Sequence, residues 1–209
     1  MRILSTTLFL VILMQAPYSL AYPKLFGKGE QVNYDIDEFP KWVGVLDKKK
    51  DEFGSYDKKC AKDSKKFYCN IKDWLTFIDS IKGISKEQQL REINSFANKK
   101  KYTLDINNWG KTDYWESPGE FLFKNGDCED YAIIKYMSLK QLGFDTGELR
   151  IVVLMDNNLR LYHSILAVYQ GDEVFILDNQ LKNVTKAANI YHYSPIFSIN
   201  ESKWWRHIQ

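Results

Sequence analysis

Residues 127–143 constrain this chain more than any other stretch. Asp127 stands where a helix can begin, and Asp130 falls in its first turn. Ala132, Ile133, Tyr136, Met137, Leu139 and Leu142 then follow at apolar positions until Gly143, where the helix should end. A helix with so many apolar positions is a buried one, and the remaining chain must supply the layers that cover it. Cys128 rides on its first turn among three acids, Asp127, Glu129 and Asp130. Acids next to a thiol raise its pKa, so this is a poor place for a thiolate unless something offsets them. The unpaired N–H groups and positive dipole end of the helix offset them in part.

The covering layers can be read on both sides of this helix. Upstream, Trp74, Phe77, Ile78 and Ile81 repeat at helical spacing, with Gly83 as the stop. Ser85 with Gln88 makes a capping box for a second helix, whose core face is Leu90, Ile93 and Phe96. Ser117, Pro118 and Glu120 supply the N-cap, first-turn proline and third-position acid of a short helix through Phe123, stopped by Asn125-Gly126. Downstream the pattern changes to β-like runs at Leu149–Met155, Leu161–Tyr169 and Val174–Asp178, an antiparallel meander broken by polar turns. Helices first and strands after them predict an α+β domain with one central helix packed on a sheet.

Arg2, an apolar run from Ile3 to Met14 and the closing Ser19-Leu20-Ala21 read as a cleaved signal peptide over residues 1–21. Residues 22–70 are polar, with weak apolar clusters at Phe39, Trp42, Val43 and Leu46. They are expected to form an irregular lead-in packed onto a domain spanning residues 71–209. The net charge of +2 points to no particular partner. Lysines crowd residues 41–66 and 99–111, but acids are interspersed and no nucleic-acid motif accompanies them, so they read as solvated faces. Three cysteines in an exported chain cannot all pair within it. Cys60 and Cys69 suit a local disulfide, which leaves Cys128 as the odd thiol.

An imidazolium near Cys128 would favour its thiolate, and the candidates are His163, His192 and His207. If Gly171 and Asp172 form a two-residue hairpin tip, Ile165 lies opposite Asp178 and His163 opposite Gln180. His163 and Asp178 then become diagonal neighbours on one face, within reach of an imidazole–carboxylate hydrogen bond, whereas a one-residue slip would separate them. A thiol at a helix start, a histidine and an acid that orients it are the parts of a cysteine nucleophile with its base. A histidine on a strand is also compatible with a satisfied core or surface residue.

Gly126-Asp127-Cys128-Glu129-Asp130-Tyr131-Ala132, then a buried helix, His163 on a strand and Ile176-Leu177-Asp178-Asn179, resembles the bacterial transglutaminase-like cysteine proteinases of the periplasmic LapG type. Asp113-Tyr114-Trp115, Pro118 with Glu120-Phe121-Leu122, and the closing run Tyr193 to Asn200 carry the same resemblance. It implies a papain-like or transglutaminase-like α+β core with Cys128 as nucleophile, His163 as general base and acid, and Asp178 as its orienter. It further implies calcium at Asp127 and Glu129, and a large surface adhesin, cut near its N-terminus, as protein substrate. An inner-membrane cyclic-di-GMP receptor is implied as inhibitory partner. Transfer of the acyl group to an amine, or a silent binding module on the same fold, are the competing readings.

Overall fold

The computed structural model describes residues 23–63 and 66–208, so the expected signal peptide lies outside the described residues. The helices are α1 (Pro40–Asp63), α2 (Lys66–Ser80), α3 (Lys86–Asn98), α4 (Asp105–Trp109), α5 (Pro118–Lys124) and α6 (Cys128–Gln141). The strands are β1 (Gly29–Asn33), β2 (Leu149–Asp156), β3 (Leu161–Gln170), β4 (Glu173–Leu177), β5 (Thr185–Lys186), β6 (Tyr193–Ile199) and β7 (Trp204–Ile208). All pairings are antiparallel, in one sheet of order β1-β7-β6-β2-β3-β4-β5. Among the described residues no helix is long and apolar enough to cross a membrane.

The α+β class and the central helix are as expected. Every residue of α6 from Glu129 to Leu139 is buried. The helix lies against β2 and β3 on one side and is covered by α3 and α5 on the other. Outer helices reach it as well: the Trp74 indole of α2 donates to Ser138 Oγ at 3.0 Å, and Trp42 of α1 meets the Tyr136 ring edge-on. Capping boxes form at Ser85 with Gln88 and at Ser117 with Glu120, as their spacing predicts.

The lead-in differs from expectation. Residues 40–63 are not irregular but form the 24-residue helix α1, and α2 begins at Lys66, well before its apolar stripe. Phe39, Trp42, Val43 and Leu46 continue at helical spacing through Phe53 and Tyr56, but Lys48, Lys49 and Lys50 and the glycines 44 and 54 dilute the pattern. The helix is held by what it packs against: Trp42 and Val45 enter the core, and the Trp42 indole donates to the Asn200 carbonyl at 3.0 Å.

The meander extends beyond three strands. Leu166 faces Leu177 and Gln170 faces Glu173 across β3 and β4, the register set by a two-residue tip at Gly171 (φ +59°) and Asp172. On the other side of β2 the chain adds β6 and β7, which the sequence pattern did not reveal. Pro195 sits within β6, where the pairing with β2 slips between Val153 and Leu154. A proline in a strand argues against a regular ladder, and here the irregularity accommodates it.

Cys60 and Cys69 form a disulfide that ties α1 to α2, and Cys128 is free. Titration of the unfolded, unreduced protein should therefore find one thiol per chain. Reduction should lower stability by about 2 to 3 kcal/mol on the chain-entropy account, read as a shift in the urea midpoint; three reactive thiols would contradict the pairing.

Candidate active site

The start of α6 is built by a reversed side chain. Asn125 ends α5 at φ +79° and ψ −178°, outside the left-handed helical region and in one that residues with a side chain rarely adopt. Gly126 follows, and a Cβ there would come within 2.3 Å of Asp130 Oδ2. Asp130 folds back over it: Oδ2 accepts from the Asp127 N–H at 3.0 Å and Oδ1 from the Glu116 N–H at 2.8 Å. Asp127 thus occupies the N-cap position and Asp130 ties the turn to the loop before α5. The Gly126 carbonyl accepts from the Thr103 N–H at 2.9 Å, which brings the segment before α4 alongside.

That segment adds acids the sequence reading did not assign. Asp105 is buried beside Asp127, whose Oδ2 accepts its N–H at 3.4 Å. Asp105 also accepts from the Tyr114 N–H. Asp105, Asp113 and Glu129 offer carboxylate oxygens within 4.8 Å of one another, as do Asp105, Asp127 and Asp130. Burial pushes Asp105 up to about 6. Glu129 rises to about 8 through burial and the charge of Asp127, and Glu116 to about 8 through burial and neighbouring acids. Asp105 Oδ1, Asp127 Oδ1 and Glu116 Oε2 are buried without a hydrogen-bond partner. Buried carboxylates crowded together with orphaned oxygens fit a hard cation that takes oxygen ligands in irregular geometry. The one signal for Asp113 in the sequence was the Asp113-Tyr114-Trp115 run; Asp105 carried none.

Cys128 feels these acids directly. Its thiol donates to Glu129 Oε2 at 3.1 Å. Burial, then the Glu129 and Asp127 charges, raise its pKa well above the ordinary thiol value, while a contact with the Ser164 hydroxyl works in the opposite direction. Without a compensating charge this is a protonated thiol.

His163 and Asp178 meet as the hairpin register predicts. His163 Nε2 lies 2.9 Å from Asp178 Oδ1, and both residues are buried. Asp178 Oδ1 also accepts from the Gln180 N–H at 2.8 Å, and Oδ2 accepts from the Tyr193 hydroxyl at 2.7 Å. Despite burial, the His163 contact helps hold the Asp178 carboxyl below its ordinary value. The Asp178 contact uses Nε2 and leaves Nδ1 as the nitrogen that can exchange a proton with a thiol. The structure brings Cys128 to Glu129 and Ser164, and His163 to Asp178; no hydrogen bond joins Cys128 to His163. His192 stacks edge-on against Tyr193, and His207 lies in β7 beside Ser198, so neither shares this contact.

A helix N-terminal cysteine, a histidine on the adjoining strand and its carboxylate partner now stand beside a match of residues 54–209 to the family described as bacterial transglutaminase-like cysteine proteinase BTLCP. The chain belongs to that family. It is therefore a transglutaminase-like cysteine peptidase. Among solved structures it is similar to Legionella pneumophila LapG, with 32% identity, 73% of this chain and 86% of that one covered, and a TM-score of 0.65. The calcium-bound form of that protein gives the same values. The EGTA-treated form gives 31% identity, 75% and 86% coverage, and a TM-score of 0.66. No curated protein matches the chain.

The buried acids of this family member carry a measurable consequence. A carboxyl whose pKa is higher folded than unfolded binds its proton preferentially in the folded state, so stability falls as the solution pH rises from the unfolded value to the folded one. For Glu116 and Glu129 that window runs from 4.5 to about 8. Thermal unfolding in chelator should show a melting temperature that declines across this window. Glu129→Gln should flatten the decline, and a melting temperature rising across it would contradict the assignment.

Proposed function

We propose that this chain is a calcium-dependent periplasmic cysteine endopeptidase that cuts a large surface adhesin near its N-terminus and so releases cells from a biofilm. The observation that carries the reading is the pairing of His163 with Asp178 in a member of a cysteine proteinase family whose free thiol, Cys128, opens the central helix.

Cys128 attacks the peptide carbonyl, and its own N–H, at the start of α6, is a donor for the developing oxyanion. His163 takes the thiol proton at Nδ1 and returns it to the leaving amine, while Asp178 holds the ring and stabilises the imidazolium. Water activated by the same ring then releases the acyl group.

Asp127 and Glu129 are the proposed calcium ligands, with Asp105 and Asp113 close enough to complete the set. The calcium-bound and EGTA-treated forms of the Legionella pneumophila relative support calcium as the ion, and the crowded carboxylates support these residues as its ligands. The bound ion would supply positive charge to a turn otherwise crowded with negative groups. Glu129 also accepts a hydrogen bond from the thiol, so a role as ligand and a role as thiol partner compete for the same carboxylate. The proposed partners are the adhesin substrate and an inhibitory inner-membrane cyclic-di-GMP receptor, both drawn from the family resemblance of the cysteine, histidine and aspartate runs. The leader read over residues 1–21 supports a periplasmic location.

Cys128→Ala should fold normally and lose cleavage by several orders of magnitude, and His163→Ala should be nearly as severe. Asp178→Asn should keep a residue of activity, because it disturbs orientation rather than bond formation. His192→Ala and His207→Ala should remain active; loss in either, with His163→Ala active, would break the assignment. The assay is incubation with surface proteins of the same cell, followed by sequencing of new N-termini. Crosslinks or ammonia release in place of new termini would indicate acyl transfer instead.

EGTA should abolish cleavage, calcium should restore it and magnesium should not, because the smaller ion demands near-octahedral geometry and dehydrates reluctantly. Asp127→Ala and Glu129→Ala should be inactive with the His163–Asp178 pair intact. Full activity in excess EGTA, from protein in which metal analysis finds no calcium, would return these acids to a purely structural role.

A further inference from the structure

The two oxygens of Asp178 are not equivalent. Oδ1 faces His163 and the Gln180 N–H, while Oδ2 is held by the Tyr193 hydroxyl alone. In a buried site a carboxylate oxygen without a donor is costly, so losing that hydroxyl would leave Oδ2 to compete for the donors of Oδ1 by rotation about the Cβ–Cγ bond. Other groups around Asp178 fix its position less directly. The Asn98 amide of α3 donates to the Asp178 main-chain carbonyl at 2.8 Å, and Lys135 of α6, over the Tyr131 ring and without a hydrogen-bond partner, acts on Asp178 only through charge.

Tyr193 is itself braced. Its ring lies 6.0 Å from that of His163 and meets Phe26 edge-on at 5.8 Å. Phe26 sits in the N-terminal turn Leu25–Gly27 at φ +49°, in the left-handed region that bulky side chains avoid. Leu25 beside it is fully buried in the same apolar cluster as Tyr193. A strained residue persists only where its surroundings over-determine it, and here the surroundings are the ring that holds the acid. Phe26 lies outside residues 54–209, the part matched to the family, so this backing belongs to the chain's own N-terminal segment.

We propose that Tyr193 is a positioning residue of this enzyme: its hydroxyl fixes Asp178 in the rotation that presents Oδ1 to His163, and Phe26 of the N-terminal turn holds Tyr193 in place. The inference rests on the proposed Cys128–His163–Asp178 reading. Tyr193 acts through Asp178 and touches neither the thiol nor a substrate.

The test uses calcium-loaded full-length protein with iodoacetamide as the probe of Cys128, and the exchangeable Nε2–H proton of His163 as the spectroscopic probe. A downfield proton signal absent from His163→Ala identifies that hydrogen bond. In Tyr193→Phe, which keeps the ring and removes only the hydroxyl, the signal should shift or broaden. The alkylation rate at neutral pH should fall roughly fivefold, the worth of one hydrogen bond. Phe26→Ala should move both readouts in the same direction by a smaller factor. In Asp178→Asn the further change Tyr193→Phe should add nothing, since the group it positions has gone. An unmoved signal in a folded Tyr193→Phe overturns the proposal, whatever happens to the rate. A Tyr193→Phe effect that persists undiminished in Asp178→Asn overturns it as well. If His163→Ala alkylates as fast as the wild type, the triad reading fails, and the proton signal judges the brace on its own.

Discussion

The first turn of α6 places Asp127, Glu129 and Asp130 at no more than 9% exposure, with Cys128 between them, and the rest of the structure is arranged around keeping that turn buried. Burying unpaired carboxylates costs several kcal/mol apiece, so a fold tolerates them only if they are hydrogen-bonded, protonated or neutralised by a cation. Asp130 takes the first course with two main-chain donors, yet burial and the charges of Glu116 and Glu129 still push its carboxyl well above the ordinary value, so it takes the second course too. Glu129 and Glu116 take the second in the absence of a cation, with pKa values near 8. Asp127 and Asp105 each keep an oxygen without a donor, and these are the atoms for which the third course is open. The acids around the thiol are thus a coherent demand for positive charge, placed next to a proposed nucleophile that would need the same thing.

A second constraint sits on the sheet side and is purely geometric. One residue of slip between β3 and β4 would put His163 and Asp178 on opposite faces, so this pair, the proposed base and its orienter, depends on the length of the tip at Gly171 and Asp172. The register is further secured by apolar pairs, Leu166 with Leu177 and Ala167 with Ile176, whose side chains fill the clusters on the two faces of the sheet. Core packing and site geometry are here the same requirement: a strand that slipped would carry its apolar residues into the wrong cluster and mispack both, as well as part the pair.

What the sequence disclosed follows from which interactions are local. The capping boxes at Ser85 and Ser117, the buried character of α6 and the β3–β4 register are all written within a few residues, and each is found in the structure. The long helix α1 was missed because its apolar residues are interrupted by lysines and glycines and its helical state depends on Trp42 and Val45 entering a core made by distant segments. β6 and β7 were missed because Pro195 breaks the ladder pattern and their partners lie far away in the chain. Within the site, Asp105 and Glu116 carried no local mark of their own, and Tyr193 only its place in the closing run that carries the resemblance, since each acquires its role from a partner elsewhere in the sequence: Asp127, Asp130 or Asp178. Lys135 was a legible anomaly, the one charged residue inside the buried length of α6 beyond its first turn, and it is buried without a hydrogen-bonding partner.

Because Cys128, the proposed nucleophile, belongs to the helical layer and the His163–Asp178 pair to the sheet, the proposed site requires the two layers to be held in fixed relation where they meet. The segment after β4 does this. Asn98 of α3 donates to the carbonyls of Asp178 and Leu181, at 2.8 and 3.3 Å, while the Asp178 side chain points the other way, to His163 and Tyr193. One residue is therefore gripped by its main chain from the helices and by its carboxylate from the sheet. α3 in turn packs on α6, the helix that carries Cys128. A displacement of α3 would shift both ends of the proposed site together instead of opening a gap between them, which is a physical reason to anchor Asp178, the proposed orienting acid, to the helical layer and not to the sheet alone.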